Sequence, residues 1–470
     1  MTQLARSHSA PEDLLRRSIP GPSRTHDRSL ASTAFETGST ASFWDLYLPN
    51  DSLSREKIIR TAIWMSTVRN LAALDSTTAL AMKALGAQAL AVQTPDPSLR
   101  ALSTQLYASA LHATNKALED PVRACSDAIL ASCKLLAVYE NMRLDSSGSV
   151  SSQGHDWHRH IEGTCRILEL RGPAKHVAAH GHALFEEARL SAVIAAITRR
   201  KPNFLSGAAW YTIPWTTSPR TLRDELVDIM LALPEMLHKQ DVLLQRRQGL
   251  TTTQELYECL VEGQELINRG VFIATSLRKW EHKVLEQCLA DVATQNTSLS
   301  GPPTLLEICK DHGYGLFHGI MQYWAICIVL FGSTWVAQGR VTTAAEGFLS
   351  QDLPALVQVP DIPSWMDPRN AASNIAMNAQ HYFRKEAGLW GPVSATFPMG
   401  CALYFYSATG SQDSYEAAQL RGALAKGRTG DMASEYLRSM ANYTDTEHGD
   451  TKVRTEYESM AKSWFGNKVA

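Results

Sequence analysis

The run PDPSLRALSTQLYASALHATNKALEDP, residues 95–121, reads as one amphipathic helix. Leu99, Leu102, Leu106, Ala110, Ala113 and Ala117 step by three and four, which places them on a single face at 3.6 residues per turn. Ser98 reads as its N-cap and Pro121 as its stop. The next run, CSDAILASCKLLAVYENM over residues 125–142, repeats the device. Ile129, Cys133, Leu136 and Glu140 form a stripe that Leu130 and Ala137 widen. So short a link around Asp120-Pro121 predicts that the two helices fold back as an αα-hairpin.

The same period continues in both directions. A third helix is expected from about Asp156 to Arg171, with Trp157, Ile161, Thr164 and Leu168 on its inner face, extended by Ile167 and Leu170. Glu162 and Arg166 stand four apart on the wet side as a pair. Gly172 is the left-handed residue expected after the helix, and Pro173 prevents its continuation. A fourth helix, about Ala183 to Arg200, is apolar almost throughout Leu190–Ile197 and is therefore expected to be central. Further helices are expected at about 221–247, 253–290, 303–337, 370–386, 394–409, 412–440 and 452–464. The segment Trp210–Pro219 reads as a loop, and the proline-studded segment Leu353–Pro368 holds the one short extended run. The architecture that follows is all-α, an irregular αα-superhelix of helix pairs. Residues 1–40, rich in Ser, Thr, Pro and Arg, read as a disordered tail, with order starting near Phe43-Trp44 and a helical domain over 41–470.

Composition excludes several classes. Hydrophobic residues make up 44% of the chain and charged residues 20%, enough apolar material for a sizeable core. With 45 basic and 47 acidic residues the net charge is −2, so the basic excess of a dedicated nucleic-acid binder is missing. The eight cysteines are scattered without any CxxC pair, which fits buried thiols in a reducing compartment better than a disulfide framework. No apolar run of a secretory signal follows Met1. Leu316–Ala337 is nearly long enough to span a bilayer, but His318 and Gln322 interrupt it and no basic cluster flanks it. It reads as a core helix, and no membrane partner is expected.

The sequence contains no P-loop, GxGxxG, GxSxG, HExxH or DDxxD-like run, so no catalytic, cofactor-binding or metal residue is assigned and no cofactor is expected. The histidines His155, His158, His160, His176, His180 and His182 are the one tempting cluster. His155 and His158 share a helix face, and His158 could pair with Glu162. His160 lies two residues from His158, about 200° round the helix, and cannot join them. Structural roles in a capping turn and helix are the simpler expectation. The basic triplet Arg199-Arg200-Lys201 is accounted for by the negative end of its helix dipole.

Read together, Trp157-His158-Arg159-His160-Ile161-Glu162-Gly163 and Leu168-Glu169-Leu170-Arg171-Gly172-Pro173 resemble the WxxHxxG…LxxRGP helix of the fungal-specific transcription factor domain. This is the regulatory half of many zinc-cluster factors. KALEDPVRACSDAILASCKLLAVYE (116–140) resembles the helix pair that precedes that motif. Gly181–Phe185 and Thr198–Leu205 are similar to its next helix and exit, and Phe397-Pro398-Met399 with Ala402-Leu403-Tyr404 to a late helix. The resemblance spans roughly residues 44–440 and is densest over 99–205. The family's six-cysteine DNA-binding unit has no counterpart here, since the first cysteine is Cys125.

The resemblance implies a nuclear transcriptional regulator, controlling a metabolic or secondary-metabolite gene cluster in a fungus. It would act through a protein partner or self-association, with a small-molecule effector possible, and without specific DNA binding of its own. A small-molecule sensor or enzyme on an αα fold is the alternative. Titratable residues converging in an apolar cavity would favour the alternative, and a solid core with an exposed apolar groove would favour the regulator.

Overall fold

The structure, a computed structural model, describes residues 43–49, 59–144, 152–247, 249–250, 252–294, 313–348, 359–447, 458–460 and 462. The tail expected over 1–40, Cys309, residues 303–312 and 452–457 of two expected helices, and residues 353–358 of the extended run lie outside the described residues. Among those described there is no strand, and 359–367 runs as coil and turn.

The helices are α1 (Ile59–Leu74), α2 (Ser76–Gln93), α3 (Pro97–Leu118), α4 (Asp127–Met142), α5 (Gln153–Arg171) and α6 (Ala179–Arg199) in the first half. The second half holds α7 (Leu222–Met230), α8 (Leu233–Arg247), α9 (Thr253–Thr294), α10 (Gly313–Phe348), α11 (Pro368–Asn378), α12 (Trp390–Ala408), α13 (Tyr415–Leu424) and α14 (Gly427–Glu447). Short helical turns join several of them, including Ala208–Thr212 and Ile213–Trp215 within the expected 210–219 loop.

Caps and breakers set the boundaries. Helix α3 starts before the expected Ser98, because Pro97 takes its first position and Asp96 accepts from Ser98 N at 2.8 Å. Ser126 caps α4 by accepting from Ile129 N. The run expected as one helix over 221–247 breaks at Leu231-Ala232, just ahead of Pro234, which has no N–H to continue the ladder. The run expected over 412–440 breaks at Gly427, where φ is +61°. Helix α11 ends at Asn378 and gives way to tighter turns.

Helix α3 buries Leu106, Ala110 and Ala117 of the expected stripe together with Ser103 and Thr114, which were not part of it, while Leu99, Leu102 and Ala113 are half-buried. Helices α3 and α4 do touch, but each packs more extensively on α2, which lies between them. Helix α5 packs on α4 and α6, and α9 pairs with α10. Helix α14 returns to pack on α4 and α5, so the last long helix closes against the first half. The apolar stretch Leu316–Ala337 lies in α10, where 89% of the most apolar window is buried inside the protein.

Two close approaches fix this arrangement. At Gly270 of α9 a Cβ would overlap the side chain of Thr334 on α10. At Gly388, with φ +57°, a Cβ would meet the carbonyl oxygens of Leu46, Tyr47 and Leu48 at 2.7–3.0 Å. There the helical turn 43–47 docks, Leu389 N donating to Leu46 O at 2.9 Å, with Phe43 and Tyr47 buried.

Candidate functional site

Nine helices (α1, α4, α5, α6, α7, α8, α10, α12 and α14) and Tyr47 surround a cavity of about 700 Å³. That volume lies in the range of small-molecule sites, roughly 300–1,000 Å³. Its exposed lining residues, Gln245, Tyr404 and Ala441, mark the side that meets solvent. Its closed end is formed by Lys134, Glu187, Arg223 and His318. Gly319, next to His318 on α10, has no heavy atom within 4 Å of where a Cβ would stand, so the glycine leaves room in the cavity.

The closed end carries two cationic side chains around one carboxylate. Lys134 Nζ donates to Ser191 Oγ at 2.8 Å and lies 3.4 Å from Glu187 Oε1. Arg223 Nη2 donates to Glu187 Oε2 at 2.8 Å. Burial draws the Lys134 ammonium below its usual range, Glu187 opposes this, and Arg223 adds to it. Burial works against ionised Glu187, but Arg223 and Lys134 together hold its carboxyl below the usual range. Arg223 is surrounded by protein yet keeps 30% of its side chain accessible, so that surface faces the cavity. At His318, drawn down to about 3 chiefly by burial, the influence of Arg223 exceeds the opposing one of Glu187.

Neutral polar groups stand beside this cluster. Gln322 Nε2 donates to His318 Nε2 at 3.2 Å, which leaves the imidazole proton on Nδ1, donated to Tyr382 OH at 2.8 Å. Gln322 Oε1, Asn141 Oδ1 and Trp64 Nε1 have no hydrogen-bond partner among the described residues, and all three residues line the cavity. A buried polar atom left unpaired costs about 1–3 kcal/mol, so the three are local costs carried by the wall. The remaining wall is mostly apolar and rich in rings, including Trp157, Trp390, Phe397 and Tyr436. At the other end Arg200 grips Asp241 with two bonds of 2.7 Å, joining the end of α6 to α8.

The histidine cluster is spent on structure. His158 bonds Gly154 O at 2.8 Å and Thr198 Oγ1 at 3.0 Å, and stacks on Tyr443 at 3.9 Å between centroids. His160 meets Tyr107 OH at 2.9 Å, while His176 and His182 bond the backbone oxygens of Gly181 and His176. Among the described residues, no three His, Cys, Asp or Glu side chains converge to hold a metal. Glu162 pairs with Arg199 on α6 instead of His158 or Arg166, and Arg166 pairs with Glu169. Leu170 is exposed, not part of the inner face, whereas Trp157, Ile161, Thr164, Ile167 and Leu168 are buried as expected. Arg200 is itself the left-handed residue after α6, with φ +51°. The resolved cysteines are free thiols.

The groups that matter most in the cavity were not singled out from the sequence, His318 and Gln322 excepted, which were noted only as polar interruptions. Lys134 carried a faint signal as the one charge inside ILASCKLLAV, residues 129–138. Glu187 and Arg223 carried none, being 36 residues apart and joined by tertiary packing alone.

No protein-family model and no solved structure matches the chain. Over 111 residues it is 30% identical to the Emericella nidulans protein known as Uncharacterized protein AN5342. The match covers 24% of this chain, and the chain spans about a fifth (22%) of that relative's length.

Proposed function

We propose that this chain is the effector-sensing body of a transcriptional regulator, binding a small organic molecule in its interhelical cavity. The cavity of about 700 Å³ with Lys134, Glu187 and Arg223 gathered at its closed end carries this reading. By the criterion drawn from the sequence, titratable groups converging in an apolar cavity favour the small-molecule alternative over a regulator with a solid core and an exposed groove, and the sensing half of the proposal takes up that alternative. The regulatory half of the proposal rests on the Trp157–Pro173 helix and the motifs around it. With it go a nuclear location and action through a protein partner or a second copy of the chain.

An enzyme on the same fold is the second reading, favoured by the same convergence. The chemistry of the wall speaks for binding. The Cys401 thiol is pushed up to about 12 by burial, and the Lys134 ammonium is shared between Ser191 and Glu187. A nucleophile needs an adjacent base or a depressed pKa, and neither accompanies Cys401.

The chain fused to a heterologous DNA-binding module in a fungal reporter strain tests the proposal. The fusion is expected to change reporter output relative to the bare module, and Gly319→Leu, which projects into the cavity, to alter that output without loss of folded protein. A fusion indistinguishable from the bare module would overturn the regulatory reading. A Gly319→Leu fusion identical to wild type would overturn the role of the cavity.

A further inference from the structure

We infer that the cavity takes a ring-bearing organic monoanion, an aryl monocarboxylate in its simplest form, with the acid group seated against Arg223 and Lys134. The inference rests on the cavity being a binding site and names the class of molecule it accepts.

Charge comes first. Two cationic side chains contact the one carboxylate of Glu187 at the closed end, while Asp224 and Glu186 act on Arg223 without contacting it. One further negative charge completes the pairing. A second would enter a desolvated site without a partner, and an ammonium would face two like charges. Geometry agrees. Arg223 spends only Nη2 on Glu187, so Nε and Nη1 remain free of protein acceptors among the described residues while its accessible surface faces the cavity. A guanidinium offers paired donors in the spacing a carboxylate accepts.

The rest of the wall selects the body of the ligand. Trp64 on α1, Trp157 on α5, and Trp390 and Phe397 on α12 line the cavity, which suits fused or linked rings over a flexible polar chain. The occupant is therefore anionic at one end and aromatic through its body.

The test titrates the full chain with a panel of aryl monocarboxylates, each matched with its neutral primary carboxamide, by calorimetry and thermal shift. The acids are expected to bind at least about tenfold more tightly than their amides. Arg223→Gln is expected to erase that preference, and Glu187→Gln, which frees Arg223 from its competitor, to strengthen acid binding. The second variant keeps the test decisive should Arg223→Gln fold poorly. Acids and amides binding equally, with both lost in Gly319→Leu, would overturn the monoanion and leave the cavity as a binding site. No binding by any pair, or binding indifferent to Gly319→Leu, would overturn both.

Discussion

The guanidinium of Arg189 lies over the ring of Trp215, 4.9 Å from its centroid, and Arg220 lies over the same ring at 4.8 Å. Arg189, on α6 and 2% exposed, also reaches Asp224 and Asp228 on α7, and Arg220 reaches Asp228 at 2.7 Å. The cluster ties together the two helices that bring Glu187 and Arg223 to the cavity. Breaking a buried pair from one side strands the opposite charge, so Arg189→Met is expected to cost about 3–5 kcal/mol. Arg189→Lys should recover little, because an ammonium cannot reproduce the planar fork that bridges and stacks. Denaturant unfolding measures both, and a loss below about 1 kcal/mol for Arg189→Met would sink this account.

Acid is expected to destabilise the protein well before its carboxylates titrate. Burial is the first cause that draws His158, His160 and His176 down to about 4 and His318 to about 3. Unfolded, each has a pKa of about 6.5. Between those values the unfolded chain binds protons that the folded one refuses, so stability is complete above about 6.5 and falls as pH drops toward 4. Each histidine contributes a slope of about 1.4 kcal/mol per pH unit. Unfolding free energies measured across this window should show the fall, and His158→Gln should remove one histidine's share. A flat profile would mean that the folded imidazoles take up protons freely.

Gly163→Ala is expected to raise the melting temperature. The sequence motif suggests a tight neighbour at this glycine, but no heavy atom lies within 4 Å of where its Cβ would stand. With space available, helix propensity governs, and alanine gains up to about 1 kcal/mol. A drop in melting temperature would reinstate the tight neighbour.

Gly270→Ala should do the opposite. Its Cβ would overlap Thr334, which is fully buried and bonded to Leu330 O at 2.7 Å. Overpacking of this kind costs about 1–3 kcal/mol. Thr334→Ala removes the atoms in the way, so the double variant should be more stable than the two single losses predict. A double-mutant cycle with no coupling energy would place the strain elsewhere.

Helix content was legible because α3 and α5 are amphipathic, and their period points inward at Leu106 and Ile161. Two breaks escaped that reading. Pro234 and Gly427 sit inside otherwise continuous helical patterns, and periodicity alone does not register the lost donor or the positive φ. The cavity escaped for a different reason. Helices α4 and α10 are apolar nearly all round, so their pattern has no direction and cannot separate a wall of the cavity from solid core. Lys134 looks like an oddity in such a run until Glu187 and Arg223 are placed beside it by folding. The histidines drew notice through their density in sequence, yet His155, His158, His160, His176 and His182 are occupied by backbone, hydroxyl or ring contacts close at hand.

The docking of residues 43–47 on Gly388-Leu389 sets a timetable for the site. Tyr47 is part of the cavity wall, and its backbone is clasped by residues synthesised more than three hundred positions later. During translation the early helices α2, α3 and α4 can assemble from local contacts, whereas this seam closes only after a long loop has been drawn in. No ribosome-bound fragment ending before Leu389 possesses the finished chamber. A molecule that fits there meets its full wall only after α12 and α14 have been made, and never serves as a template for the first helices.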